Sequence, residues 1–377
     1  MPDNSKVRLI PAAQGHITAV FLLLQNMGDF ARAFRTCMSI GPEMLRKILV
    51  ASLLCAVFSS AALAEEQPRK QFVIVSFDGA GDNTLWDRSR ATSAETGAKF
   101  TYFLSCTLIM DYKTGKATYQ GPGKKLGRSN VGFGQTVQEV ETRLNNIWQA
   151  HQEGHEIASH ACGHFDGKDW TAADWEAEFE TFSKTLENAW EMIGKKDAEP
   201  QGWREFAKTG IKGFRAPYLS QSDGLTAAEK RHGFIYDASL VTKGPQYPVT
   251  AKDGMTRFGL PLIPEGPNSR PIIAMDYNLF VRHSVGVETP SKAAEFEERA
   301  YKAFRAAFDK QYNGERIPLQ MGFHFVKMNG GAYWNAYERV LREVCKMQDV
   351  SCVNYASYME TLKTEKAEQK PVAGSSF

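Results

Sequence analysis

The sequence predicts an α/β protein built of strand-helix units around a mainly parallel sheet, and three observations carry that expectation. From residue 71 onward, short β-branched and aromatic runs alternate with amphipathic helical stretches. Apolar runs end in reactive residues, as in Phe72-Val73-Ile74-Val75-Ser76-Phe77-Asp78 and Leu319-Gln320-Met321-Gly322-Phe323-His324, and loops that follow parallel strands are where such folds build their active face. The helical stretches are punctuated: Thr136 with Glu139 and Ser357 with Glu360 read as capping boxes, while Gly154 and Gly233 stand where a helix should stop.

Taken in order, strands are expected at 71–77, 99–105, 155–159, 211–215, 234–238, 272–277, 319–324 and 350–355. Each is short, apolar or β-branched, and bounded by polar or glycine-containing segments. A helix is expected from Asn335 to Val344, between the last two strands. Two stretches interrupt the alternation, Met110 to Gly134 and Val241 to Arg270, both rich in Gly, Pro, Lys and Asp. They read as long connections or insertions. After Leu362 the composition turns to Lys, Glu, Gln, Pro, Gly and Ser, so residues 363–377 read as a disordered tail.

The N-terminal region indicates where the protein works. Met44-Leu45-Arg46-Lys47 is a basic start, Ile48 to Phe58 an apolar core, and Ala62-Leu63-Ala64 a small-residue cleavage signal. Residues 44–64 therefore read as a secretory signal peptide, 1–43 as an extension upstream of the true start, and 65–362 as the mature domain. The expected location is secreted or periplasmic. The apolar run is shorter than the roughly 20 residues a spanning helix needs, so no stable membrane insertion is expected after cleavage. A formal charge of +2 over 377 residues, without a long basic run, argues against a nucleic-acid partner.

Export leaves Cys106, Cys162, Cys345 and Cys352 in the mature chain, without Cys37 and Cys55. Four thiols in an oxidising compartment point to disulfides. Cys345 ends a helix and Cys352 opens the next strand, while Cys106 and Cys162 each follow one of two strands expected to be neighbours. The pairs Cys106–Cys162 and Cys345–Cys352 are expected, with four free buried thiols as the alternative.

Chemistry concentrates in four segments. In Gly154-His155-Glu156-Ile157-Ala158-Ser159-His160-Ala161-Cys162-Gly163-His164, two imidazoles four residues apart can face one metal ion. Asp78 ends the first strand, where a base could take a proton from water. Arg215-Ala216-Pro217-Tyr218 offers a guanidinium to hold a carboxylate and a proline-stiffened turn that presents an amide. His324 ends the seventh strand, and Asp276, closing Ile272-Ile273-Ala274-Met275-Asp276, is its candidate partner.

In this order the segments resemble the motif series of the polysaccharide deacetylases, the NodB-homology or carbohydrate esterase family 4 group. The resemblance runs from about residue 70 to 362. Arg215-Ala216-Pro217-Tyr218-Leu219, Tyr236-Asp237-Ala238-Ser239 and the stretch from Arg316 to Trp334 look most like the branch that contains the arthropod chitin deacetylases. The resemblance implies a distorted (β/α) barrel of seven or eight mostly parallel strands. It implies Asp78 as general base, His160 and His164 as ligands of a divalent metal, zinc foremost with cobalt or nickel possible, and Arg215 as the clamp on Asp78. The Tyr218 amide would bind the oxyanion, His324 would be the general acid, and Asp237 would be structural. The family motif has two adjacent aspartates, whereas this chain reads Asp78-Gly79. Asp82 is the expected substitute ligand, Asp166 a weaker one, and water otherwise completes the shell.

The implied reaction is hydrolysis of N-acetyl groups from an aminosugar polymer or oligomer, whether chitin-like, peptidoglycan or exopolysaccharide, so the expected partner is an N-acetylated glycan. Trp170, Tyr218, Tyr277 and Trp334 could stack on sugar rings. Two alternatives stand beside this reading: a catalytically impaired relative that binds glycan, and an amidase acting on a non-sugar C–N bond.

Overall fold

The computed structural model describes residues 69–368, and within them ten strands form one curled, mostly parallel sheet. The expected extension 1–43 and signal peptide 44–64 lie outside the described residues. The C-terminal helix Tyr355–Glu368 runs past the expected boundary at 362, and the remainder of the tail lies outside.

β1 (Gln71–Gly79) is the hub. Its alternation sends Val73, Val75 and Phe77 into the layer between sheet and helices and Phe72 and Ile74 into a second core inside the curl. Ser76 and Asp78 continue the inner row. One edge of β1 pairs in parallel with β9 (Leu319–His324), in a register that sets Asp78 opposite His324. The other edge is shared: β10 (Val350–Val353) takes Gln71–Ile74, and β2 (Thr101–Leu104) takes Ser76–Gly79. The parallel series continues through β3 (Glu156–Ser159), β4 (Gly213–Phe214), β5 (Tyr236–Thr242) and β7 (Thr256–Glu265).

Residues 274–275 close the curl. The Ala274 amide donates to the Pro261 carbonyl of β7, the Gly322 amide of β9 donates to the Ala274 carbonyl, and Met275 bridges Gly322. The result is a distorted barrel with seven parallel strands around the ring and β10 wedged beside β1 as an eighth, as expected from the sequence. Tyr355, Tyr358 and Met359 of the C-terminal helix fill its interior together with Phe103, Tyr236 and Phe258.

The expectation fails in Val241 to Arg270, which is not a long connection. It holds β6 (Val249–Thr250), β7 and the start of β8 (Arg270–Ile273), with β6 and β8 antiparallel to β7. Pro261 and Pro264 disguise β7, because proline argues against an interior strand; yet Pro261 lacks only a donor and still accepts through its carbonyl. Met110 to Gly134 likewise contains the helix Tyr112–Thr118, capped by Asp111, whose carboxylate accepts from the Lys113 and Thr114 amides. Gly115 is required there, since a Cβ would lie 2.0 Å from the Phe133 ring.

The punctuation is partly as read. Gly154 and Gly233 adopt left-handed φ just past helix ends. Thr136 caps Glu139, but Glu139 reaches back to the Gln135 amide, one residue short of a reciprocal box. Ser357 is not a cap: its own amide is held by Asn354. Both disulfides form, Cys106–Cys162 with Cα atoms 4.3 Å apart and Cys345–Cys352 at 5.6 Å. Among the described residues no helix is long and apolar enough to cross a membrane.

Candidate active site

Asp78 is the last inward-facing residue of β1 and is almost fully buried. Its Oδ1 accepts from Arg215 Nη1 at 2.8 Å. Arg215 is itself fully buried, and each of its three nitrogens has a partner: Nε gives to the Ala238 carbonyl, Nη1 also to Ser76 Oγ, and Nη2 to the Tyr355 hydroxyl. The guanidinium carbon lies 4.3 Å from the centre of the Phe103 ring. Burial works against ionising Asp78, but the Arg215 guanidinium outweighs it and holds the carboxyl below its ordinary range. Asp78 is thus a carboxylate held in a fixed orientation by Arg215.

His160 follows β3 and is buried. Its Nδ1 lies 2.7 Å from the Arg215 carbonyl. A carbonyl can only accept, so Nδ1 carries the proton and Nε2 carries the lone pair. That Nε2 is buried with no hydrogen-bond partner. The His164 ring centre lies 5.0 Å from that of His160, and burial, with His160 and His324 nearby, pushes the His164 imidazole down to about 3. Burial also lowers His160. Two neutral imidazoles side by side, one with an orphaned lone pair, are a donor set suited to a divalent cation.

The expected third ligand is not brought to them. Asp82 is exposed and caps the helix Asn83–Thr96, its Oδ1 accepting from the Thr84 amide at 2.7 Å and hydroxyl at 2.8 Å. Asp166 accepts from Ser220 Oγ and the Lys168 amide. No group of three His, Cys, Asp or Glu side chains suited to a metal occurs among the described residues. Gly79 sits at φ 88° with open space where a Cβ would be. The backbone there is one that L side chains rarely adopt, so the position suits glycine by conformation and not by crowding.

His324 ends β9 beside Asp78. Asp276, buried, grips it twice: Oδ1 accepts from Nδ1 at 2.7 Å and Oδ2 from the backbone amide at 2.8 Å. Burial opposes protonation, but Asp276 and Asp78 prevail and raise the imidazole above its ordinary value. Tyr218 presents an amide that makes no hydrogen bond among the described residues, and its exposed ring lies 4.9 Å from that of His164. Ala80, Ala161, His164, Tyr218 and Leu219 all hold left-handed φ between 53° and 59°, in three loops at this one mouth. Such strain at non-glycine residues collects where a site is held in a working shape.

The structure thus gathers Asp78, Arg215, His160, His164, Tyr218, His324 and Asp276 at one end of the barrel and leaves Asp82 apart. Of the candidate sugar-stacking aromatics, Tyr218 and Tyr277 are exposed, Tyr277 with its ring 6.1 Å from that of His324. Trp334 is buried and donates to the His324 carbonyl, and Trp170 packs edge-on against Trp175. Asp237 is structural as expected: with the Ser239 hydroxyl it supports the Ala216 amide, so the Arg215 loop is braced from β5.

Sequence reasoning missed Glu178 and Asn130. Glu178 is buried and accepts from the Cys162 and Gly163 amides, between the two histidines, and from the Tyr119 hydroxyl. Its signal was present: a carboxylate inside the apolar stripe Trp175, Phe179, Phe182 of the helix Ala172–Glu187. Asn130 Nδ2 ties the His164 carbonyl to the Tyr218 hydroxyl, and nothing in its surroundings marks it.

Compared with protein-family models and with curated proteins, the chain matches none. Among solved structures it is similar to a Mycobacterium smegmatis protein described as a polysaccharide deacetylase, at 17% identity and TM-score 0.49, over 81% of this chain and 94% of that one. It is also similar to an allantoinase, at 13% identity and TM-score 0.46, over 79% and 92% of the two chains. A third similar structure is the peptidoglycan deacetylase PdaC of Bacillus subtilis, at 10% identity and TM-score 0.39, over 80% and 96%.

Proposed function

We propose that this chain is an exported metal-dependent hydrolase that removes N-acetyl groups from an aminosugar polymer or oligomer. The observation that carries the reading is the pairing across β1 and β9: an arginine-held, ionised Asp78 in register with the carboxylate-paired His324. A base and an acid with pKa values pushed apart, next to two neutral imidazoles, suit hydrolysis of an amide.

His160 and His164 would hold the ion through their lone pairs, and open positions would remain for water and the substrate carbonyl. When bound, a divalent ion such as zinc supplies Lewis-acid polarisation of the acetamide and a more acidic water. Asp78 takes a proton from the attacking water, and Arg215 keeps its carboxylate ionised and aimed. The Tyr218 amide donates to the oxygen that gains charge. His324 gives its proton to the departing amine while Asp276 keeps the ring oriented, so water and amide become acetate and a free amine. The disulfides Cys106–Cys162 and Cys345–Cys352 support a working place in an oxidising compartment, secreted or periplasmic.

A second reading, glycan binding without turnover, is favoured by one observation: Gly79 offers no carboxylate and Asp82 is engaged in capping. One experiment separates the two: acetate release from N-acetylated oligosaccharides and peptidoglycan, with and without added zinc, alongside the metal content of the protein. Zinc-dependent release is the expected result. Binding of glycan with no release at any metal concentration would replace the hydrolase by the binding protein.

A further inference from the structure

Beside Tyr218 and His164 opens a cleft of about 480 Å³ whose lining carries Lys124, Lys125 and Arg128 against a single carboxylate, Asp166. That carboxylate is already engaged. Ser220 Oγ donates to it at 2.6 Å and the Lys168 amide at 3.1 Å. The Lys124 ammonium lies 5.2 Å from the centre of the Phe165 ring. Lys125 and Arg128 make no ion pair among the described residues. They belong to a segment, residues 112–138, that holds Lys113, Lys116, Lys124, Lys125 and Arg128 and not one Asp or Glu. The cleft is therefore a local excess of positive charge on a chain whose net charge is only +2.

This wall is fixed to the reactive loop. The Asn130 amide donates to the Gly163 carbonyl, and its side chain reaches the His164 carbonyl and the Tyr218 hydroxyl. On the far side the Gly127 amide donates to the Tyr119 carbonyl, and Lys116 Nζ holds the Gly127 carbonyl. The cleft thus adjoins the loop that carries His164.

We propose that the cleft binds an oxyanion substituent, a carboxylate or a sulfate ester, on the sugar adjoining the one whose acetamide is cleaved. Lys125 and Arg128 are its specificity residues; Arg128 offers the planar fork that suits an oxyanion, and Lys125 a mobile point charge. Asn130 and Tyr218 join the two subsites. The inference rests on the glycan reading above and names its substrate class as acidic.

The test uses three N-acetylated oligosaccharides of one backbone, bearing a carboxylate, a sulfate, or a neutral alcohol in place of the carboxylate. Binding is measured by titration calorimetry on the Asp78→Asn variant, which keeps the ligand intact, and acetate release is measured on the otherwise native protein. At least one anionic ligand should bind about tenfold more tightly than the neutral one at low salt, the difference shrinking as salt is added. Adding Lys125→Ala and Arg128→Ala should abolish that preference and leave the neutral ligand's affinity as it was. Whichever anion gains more identifies the substituent. Equal affinities for all three, no binding of any, or a preference that survives the double substitution overturns the proposal. Charge-selective binding without acetate release would instead sink the hydrolytic reading and keep the cleft; release without charge preference would do the reverse.

Discussion

Asp276 closes on His324 from two sides, one oxygen on the ring nitrogen Nδ1 at 2.7 Å and the other on the backbone amide of the same residue at 2.8 Å. Ring Nδ1 is thereby taken up by Asp276, and although burial opposes protonation the carboxylate raises the imidazole above its ordinary value. A group whose folded pKa is raised contributes stability that is complete below the unfolded value near 6.5 and is lost as pH rises through the folded value. Asp276→Asn should thus pull the alkaline limb of the activity profile to lower pH and reduce kcat by roughly 10². It should also flatten the decline of Tm above neutral pH. An unmoved alkaline limb in the Asn variant would remove His324 from the role of acid.

Asp78 and Arg215 form a buried pair in which each charge depends on the other. Asp78→Asn retains a hydrogen-bond acceptor for the guanidinium and removes the base, so turnover should fall by about 10²–10⁴ with metal content unchanged. Asp78→Leu leaves the buried guanidinium uncompensated and should cost about 3–5 kcal/mol of stability by denaturant titration. Loss of metal in the Asn variant would make Asp78 a ligand and not a base.

The two histidines are not equivalent. His160 is fixed through Nδ1 on the Arg215 carbonyl, whereas His164 hangs on a left-handed residue beside Tyr218. His160→Ala and His164→Ala should each abolish metal retention on dialysis and, with it, acetate release. Chelation of the native protein should do the same, reversed by added zinc. Activity that survives chelation and both substitutions would exclude the metal reading outright.

Much of this arrangement was legible because the reactive residues ride on strand ends. Asp78, His160, Arg215 and His324 are placed by β1, β3, β4 and β9, and each of those strands announces itself as an apolar run before a polar residue. What stayed hidden follows from the same logic. β7 was lost because Gly259, Pro261 and Pro264 break its pattern, although its pairing with β5 restores it in three dimensions. Asp82 read as a ligand because spacing alone cannot tell a carboxylate aimed at a metal from one turned back onto its own helix. Asn130, linking His164 to Tyr218 across the chain, is a contact between loops that no local pattern encodes.

Glu178 supplies the last expectation, because it acts on the site through the backbone between the two histidines. One oxygen, Oε1, accepts from the Tyr119 hydroxyl at 2.8 Å, the Cys162 amide at 3.1 Å and the Gly163 amide at 3.0 Å. The Cys106–Cys162 bond and the Cys106 amide, donating to the Ala161 carbonyl, fasten the same turn from the other side. Glu178→Ala leaves three donors without their acceptor and should cost about 3 kcal/mol or more. Its more specific signature is a metal affinity reduced by about 10- to 100-fold, with turnover recovered at saturating zinc, since both imidazoles themselves remain. Glu178→Gln keeps an acceptor oxygen and should rescue most of that affinity. Replacing Cys106 and Cys162 by Ser should act in the same direction, whereas the same change at Cys345 and Cys352, which close a loop of sequence separation 7 away from these histidines, should lower Tm and leave the metal affinity alone. Unchanged affinity in Glu178→Ala, in protein that remains folded, would make Glu178 a core residue with no part in positioning His160 and His164.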